Sequence, residues 1–310
     1  MEKEQVFFLK SSRKRPFGVR SLLPRQKQPK ALVQIIPGMA EHAGRYREFA
    51  SFLVENGYGV FCADHPGAGI NASKQSKTGL LPAYRGWETM LENIRALYTY
   101  IRKEYPDMPL FLFGHSMGSI LARHFTALYP VYISGLIMSG SFTTPDYILK
   151  PTRALVGLMT RIQGPRTKSK WFNQLFYKNL NRSFRKGPTM FEWISSVREE
   201  VDAYVADPLC GYECSWGFYR NLFKGVKAMK RAQHNLKYRK TLPLLNICGQ
   251  DDPVGNFGKD ALKIHHNYYK QKFQNNTVKV FRGRHELLHD KHKEKVFVYL
   301  LNWMEENLRP

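Results

Sequence analysis

Cysteine is scarce in this 310-residue chain, with four in all. That is too few for a disulfide framework at this length, so a reduced compartment is expected. Cys62 and Cys248 fall in apolar runs and read as small core residues. Cys210 and Cys214 are spaced C-x-x-x-C with no second pair, which argues against zinc, and no metal or organic cofactor is expected. Long apolar runs are also missing. Nothing approaches the roughly 20 residues a membrane span needs. At the N-terminus Val6-Phe7-Phe8-Leu9 is too short for a secretory core and follows Glu2 and Glu4, so a cytoplasmic protein is expected. Internal repeats and low-complexity tracts are absent as well.

Acidic residues are few and unevenly placed. Against 48 Lys and Arg there are 25 Asp and Glu, a net charge of +23. From Tyr147 through Phe191 there is no acid but ten bases, and from Cys214 through Lys240 none but eight. Gln5 to Ala40 holds eight bases and no acid. Such a field concentrates anions at the surface, and peripheral contact with anionic phospholipid is one reading of it. The plain alternative is a solvated basic surface. No helix-turn-helix, finger or RRM signature accompanies the charge, so nucleic acid is not expected as a partner.

What is present is alternation. Strands are predicted over Val6–Lys10, Phe17–Leu23, Ala31–Ile36, Tyr58–Ala63, Leu110–Phe113, Ile133–Met138, Leu244–Cys248 and Thr277–Phe281. Helices are predicted over Arg45–Glu55, Trp87–Tyr105, the segment after Gly118, Asp260–Phe273 and Lys293–Leu308. Trp87, Met90, Leu91, Ile94, Leu97, Tyr98 and Ile101 recur at three- and four-residue spacing, with Glu88, Glu92, Arg95 and Arg102 opposite. Strands alternating with helices imply an α/β fold with a mostly parallel sheet. The rhythm breaks between about Thr143 and Cys210. Residues 1–143 and 211–310 are therefore expected to form the core, and 144–210 an inserted helical cap.

Gly114-His115-Ser116-Met117-Gly118 follows the apolar run Leu110–Phe113 and precedes a helical segment. Strand, tight turn with serine between two glycines, then helix is the setting of a nucleophile elbow. Serine needs a general base held by a carboxylate, in the chain order Ser, Asp or Glu, His. Asp252, in the turn after Leu244–Cys248, is the candidate acid, with Asp251 its rival. His285, after Thr277–Phe281, is the candidate base, with His289 and His292 nearby. The oxyanion donors would be the N–H groups of Met117 and of Met39, in the loop Pro37-Gly38-Met39-Ala40.

Taken as a set, Pro37-Gly38-Met39-Ala40-Glu41-His42-Ala43-Gly44-Arg45-Tyr46, the Gly114–Gly118 elbow, Gly249-x-x-Asp252 and His285-Glu286 resemble the monoacylglycerol lipase and lysophospholipase group of serine α/β hydrolases. Val201 through Leu209 is similar to the end of that group's cap. The resemblance spans about residues 10 to 308. It implies an α/β-hydrolase fold with helices on both faces of the sheet, Ser116 as nucleophile, Asp252 as acid, His285 as base, and Met39 and Met117 as oxyanion donors. The implied substrate is a single-chain lipid ester, a lysophospholipid or monoacylglycerol, cleaved through an acyl-enzyme. Two departures bear on the entrance to the site. Pro37 stands where the group usually has His, and Asp64-His65-Pro66-Gly67-Ala68-Gly69-Ile70-Asn71 replaces Asp-x-Arg-Gly-His-Gly-x-Ser.

The predicted cap adds a signal of its own. Leu155, Leu158, Met159 and Ile162 share one helical face among Lys150, Arg153 and Arg161. Such a stripe suits a lid packed over an acyl pocket, the reading adopted here, or a helix lying in a membrane interface. Two other functions stay open: amide or peptide hydrolysis by the same triad, which an acidic pocket for a substrate ammonium would favour, and anionic-lipid binding without catalysis.

Overall fold

A computed structural model describes residues 2–12, 15–25, 28–72, 78–129, 131–233 and 240–308. Its organising element is the strand Leu110–His115, buried along its whole length. Alternate residues of a strand face opposite ways, and here both faces are covered. Leu110 and Leu112 enter one apolar core, Phe111 and Phe113 a second. That is why this run reads as continuously apolar, the mark of a central strand in a two-sided fold.

Among the described residues eight strands form one sheet. They are β1 (Glu2–Lys10), β2 (Pro16–Pro24), β3 (Ala31–Ile36), β4 (Tyr58–Ala63), β5 (Leu110–His115), β6 (Gly135–Ser139), β7 (Leu244–Gly249) and β8 (Asn276–Phe281), in spatial order β1-β2-β4-β3-β5-β6-β7-β8. β1 and β2 join antiparallel at one edge, and every pairing from β4 to β8 is parallel. The helices are α1 (Arg47–Glu55), α2 (Gly86–Glu104), α3 (Met117–Leu128), α4 (Asp146–Gln163), α5 (Lys170–Leu180), α6 (Arg198–Ala206), α7 (Trp216–Ala232), α8 (Lys259–Lys270) and α9 (Lys293–Glu306). α1 and α9 share the core of Phe111 and Phe113, while α2, α3, α7 and α8 share that of Leu110 and Leu112. The architecture is the expected α/β-hydrolase fold.

Several local expectations change: β1 begins at Glu2, four residues earlier than predicted, and α8 ends at Lys270, three residues short. β6 begins at Gly135, two residues later than predicted. The segment from Trp216 to Ala232, for which no helix is predicted, is α7. Ser215 caps it, its hydroxyl accepting the Phe218 N–H at 3.2 Å. Trp216, Tyr219, Leu222, Val226 and Met229 form its buried face. Gly225, a residue that weakens a helix in isolation, is needed here: a Cβ would lie 1.9 Å from the Trp87 ring of α2.

Between β6 and α7, the helices α5 and α6 and the loops beside them carry a small third cluster of Tyr177, Trp193, Ile194, Val201, Tyr204 and Cys210, while α4 packs into the core of Leu110 and Leu112. The cluster is tied to loops of the sheet. Trp193 and Ile194 carbonyls accept from the His285 and Glu286 N–H groups at 3.3 and 2.8 Å, and the Tyr204 hydroxyl donates to the Ala40 carbonyl at 2.9 Å. The apolar stripe on α4 does not line a pocket, contrary to expectation. Leu155, Leu158 and Ile162 are 40%, 54% and 67% exposed. The reason is the partner: α4 meets α7 through Leu149, Val156 and Thr160, and the Thr160 hydroxyl lies 3.5 Å from the Trp216 carbonyl. That contact turns three of the four stripe residues to solvent, while Met159 packs half-buried against the core. Among the described residues no helix is long and apolar enough to cross a membrane.

Candidate active site

Ser116 sits between β5 and α3 with φ 51° and ψ −119°. An L-residue rarely adopts this backbone, which costs on the order of 1–3 kcal/mol. The neighbouring glycines make the turn feasible. A Cβ on Gly118 would lie 2.0 Å from the Ile36 carbonyl oxygen, and one on Gly114 would lie 2.6 Å from the Gly118 carbonyl oxygen. The turn is fixed by the Ser116 N–H donating to the Ser139 carbonyl at 2.8 Å.

Asp252 follows β7 and is fully buried. Its Oδ1 accepts the Val254 N–H at 2.9 Å and lies 2.9 Å from His285 Nδ1. Asp251, the rival, is exposed. His285 follows β8 and is held between two rings, Trp193 at 5.1 Å and His115 at 4.7 Å between centroids. Burial works to lower the imidazole, but the Asp252 carboxylate, followed by Glu286 and Glu41, carries it above its ordinary value. His115 moves the other way, well down, through burial and the neighbouring His285. Of the other histidines, His289 pairs with Glu286 at 3.3 Å and with the Arg45 carbonyl at 2.8 Å, away from Asp252.

Ser116, His285, Met39 and Met117 line one cavity of about 550 Å³. No acceptor among the described residues takes the Met39 or Met117 N–H. The loop 37–40 lies against the serine: a Cβ on Gly38 would stand 3.2 Å from that of Ser116. Much of its lining is apolar, with Phe172, Leu175, Phe176 and Leu180 of α5 and Leu222 and Phe223 of α7.

The same cavity carries charged groups to which the sequence assigned no role. Glu41 and Glu286 line it, and both are buried. Arg45 lies behind them, its Nη2 2.5 Å from Glu286 Oε2 and its Nε 4.0 Å from Glu41 Oε2. Glu41 Oε1 accepts the Gly38 N–H and, at 2.8 Å, the Tyr46 hydroxyl. Burial opposes ionisation of Glu286, yet Arg45 and then His289 hold it well below the usual carboxylate range. Glu41 is raised instead, by burial and by the charge of Glu286. The only sequence trace of this network is the i, i+4 spacing of Glu41 and Arg45.

His42, Asp207 and Cys210 are the described residues grouped closely enough for a metal. His42 Nδ1 accepts the Gly44 N–H at 3.1 Å, so Nε2 carries the proton and donates to Asp207 at 2.8 Å. That tautomer makes a hydrogen-bonded link between two loops. A metal at Nε2 would place a proton on Nδ1, facing a backbone donor.

The fold, the elbow and the histidine–carboxylate contact define a class, the serine ester hydrolases of α/β-hydrolase fold. The family described as serine aminopeptidase, S33, matches residues 27–292, and the chain belongs to it. The chain is 27% identical over 287 residues to the monoglyceride lipase of Homo sapiens, covering 90% of this chain and 83% of that protein. A thermostable carboxyl esterase from Bacillus coagulans, solved with glycerol, superimposes with a TM-score of 0.85 at 24% identity, covering 99% of each chain. A soluble variant of the Saccharomyces cerevisiae monoglyceride lipase, in complex with a substrate analogue, gives 0.76 at 19% identity, covering 98% and 96%.

Proposed function

We propose that this enzyme hydrolyses esters of single-chain lipids, a monoacylglycerol or a lysophospholipid, through an acyl-enzyme on Ser116. The observation that carries the reading is the largely apolar cavity that Ser116 and His285 share. Its wall from α5 and α7, with Phe172, Leu175, Phe176, Leu180, Leu222 and Phe223, suits one acyl chain. In this scheme His285 takes the Ser116 proton as the hydroxyl attacks the acyl carbon. Asp252 orients the imidazole and stabilises its charged form. The Met39 and Met117 N–H groups receive the oxyanion. Collapse breaks the ester bond, and the imidazolium returns its proton to the departing alcohol. Water then repeats the sequence and frees the fatty acid.

Residues 144–210 act in this reading as a cap over the acyl chain. The exposed Leu155, Leu158 and Ile162, with Trp171 at 47% exposure and the acid-free, basic surroundings, suit an anionic membrane interface from which such lipids are drawn. Amide hydrolysis with ammonium recognition is less well supported. Glu286 is paired with Arg45, and Glu41 accepts two hydrogen bonds, so neither carboxylate stands ready for a substrate cation.

The test is a panel of acyl esters, from short p-nitrophenyl esters to long-chain monoacylglycerol and lysophospholipid, with wild type and Ser116→Ala. Hydrolysis of at least one long single-chain ester is expected to exceed that of the short esters in kcat/KM. Ser116→Ala is expected to lose on the order of 10⁴-fold or more in kcat. Full activity in Ser116→Ala would sink the mechanism.

A further inference from the structure

Arg123, on α3, is 1% exposed. Burying a guanidinium is costly unless a charged partner offsets it. Its contacts are weak: Nη1 lies 3.3 Å from the Ser141 hydroxyl and 3.5 Å from the Phe142 carbonyl. Nε is buried without a partner, and no carboxylate among the described residues pairs with the side chain. Residues 234–239 carry no Asp or Glu either.

The side chain lines a second cavity of about 580 Å³ that adjoins that of Ser116. Lys230, Lys263 and Lys270 stand around it. Lys230 is held by Asp146, and Lys263 by Asp260 at 3.3 Å. Asp260 is engaged further by the Thr143 N–H at 2.8 Å. Lys270 is exposed and has no ion pair among the described residues. Four cations thus face two carboxylates that are already committed. Phe142, Thr143, Thr144 and Val226 line both cavities, so a partly apolar wall adjoins the cationic group.

We propose that this cavity is an anion site in which Arg123, backed by Lys263 and Lys270, receives a phosphate group. A buried guanidinium with an unpartnered Nε–H and only long contacts at Nη1 suits a tetrahedral oxyanion, and the surplus charge suits a dianion better than a carboxylate. The phosphate arrives on a single-chain lipid or as the free ion.

Calorimetric titration of the full chain with inorganic phosphate, with octyl phosphate and with acetate tests this. Wild type is expected to bind phosphate saturably at one site and acetate much more weakly. Arg123→Gln is expected to weaken phosphate at least tenfold. Because that variant removes a buried side chain, Lys270→Glu on the exposed rim is the second arm: affinity falls several-fold while short-ester hydrolysis is unchanged. Tighter binding of octyl phosphate than of phosphate assigns the lipid source, and equal binding assigns the free ion. The site is refuted by a lack of saturation at roughly 10 mM phosphate, by acetate binding as well as phosphate, or by wild-type affinity in both variants. None of these outcomes depends on Ser116, so failure here and failure of the hydrolytic reading are separable.

Discussion

At the scale of single residues the proposed mechanism hinges on which charge state His285 holds. Only the neutral imidazole can take the serine proton. Its upward shift, against burial and through Asp252, places the acid limb of kcat/KM above the ordinary histidine value of about 6.5. Asp252→Asn removes the charge responsible. The limb is expected to move to lower pH while kcat falls by about 10⁴-fold. A pH profile of the variant checks both, and an unmoved limb would assign it to another group. The same shift has a stability sign. A raised histidine stabilises the fold below about pH 6.5, and the contribution is lost as pH rises through the folded value. Candidate residues were legible at this scale because motif and chain order constrain them. The Glu41–Arg45–Glu286 network was not, since Glu286 lies 241 residues from Arg45 and no local pattern joins them.

At the scale of elements, α4 and α7 explain each other. Hydrophobic periodicity located the α4 stripe, but periodicity is silent about which neighbour a face meets. α7 takes the face of Leu149 and Val156, and Leu158 and Ile162 are left outward. Leu158→Glu with Ile162→Glu is expected to change stability by no more than about 0.5 kcal/mol, because exposed positions tolerate substitution. Sedimentation with anionic vesicles is expected to fall several-fold, with hydrolysis of a soluble short ester unchanged. Undiminished sedimentation would remove the membrane role from α4. α7 itself went unread because two glycines and a run of bases dilute its apolar face. Gly225 makes sense only once Trp87 of α2 is seen against it.

At the scale of the molecule, buried charge ties distant loops around the site. Arg45 joins the loop after β3 to Glu286 after β8, and its guanidinium lies 5.0 Å from the Tyr204 ring of α6. Removing one partner leaves a buried charge uncompensated, so Arg45→Met is expected to cost about 3–5 kcal/mol, measured by urea denaturation. The pH sign follows from Glu286, whose carboxyl is depressed on folding. Its contribution is present above its ordinary value of about 4.5 and is lost as pH falls below it. Acid unfolding of wild type is therefore expected to begin below about pH 4.5, and Arg45→Met is expected to lose much of that dependence. An acid transition of unchanged size in Arg45→Met would place the linkage elsewhere.

By itself the sequence determined the strand–helix alternation, the elbow and the order of Ser116, Asp252 and His285. Local period, glycine placement and chain order are properties of a one-dimensional string. The tertiary structure decided which aspartate meets His285, which face of α4 is wet, and where Glu41, Glu286 and the unpaired Arg123 lie. Each depends on groups far apart in the chain being buried together, where the cost of desolvation selects partners that no local pattern records.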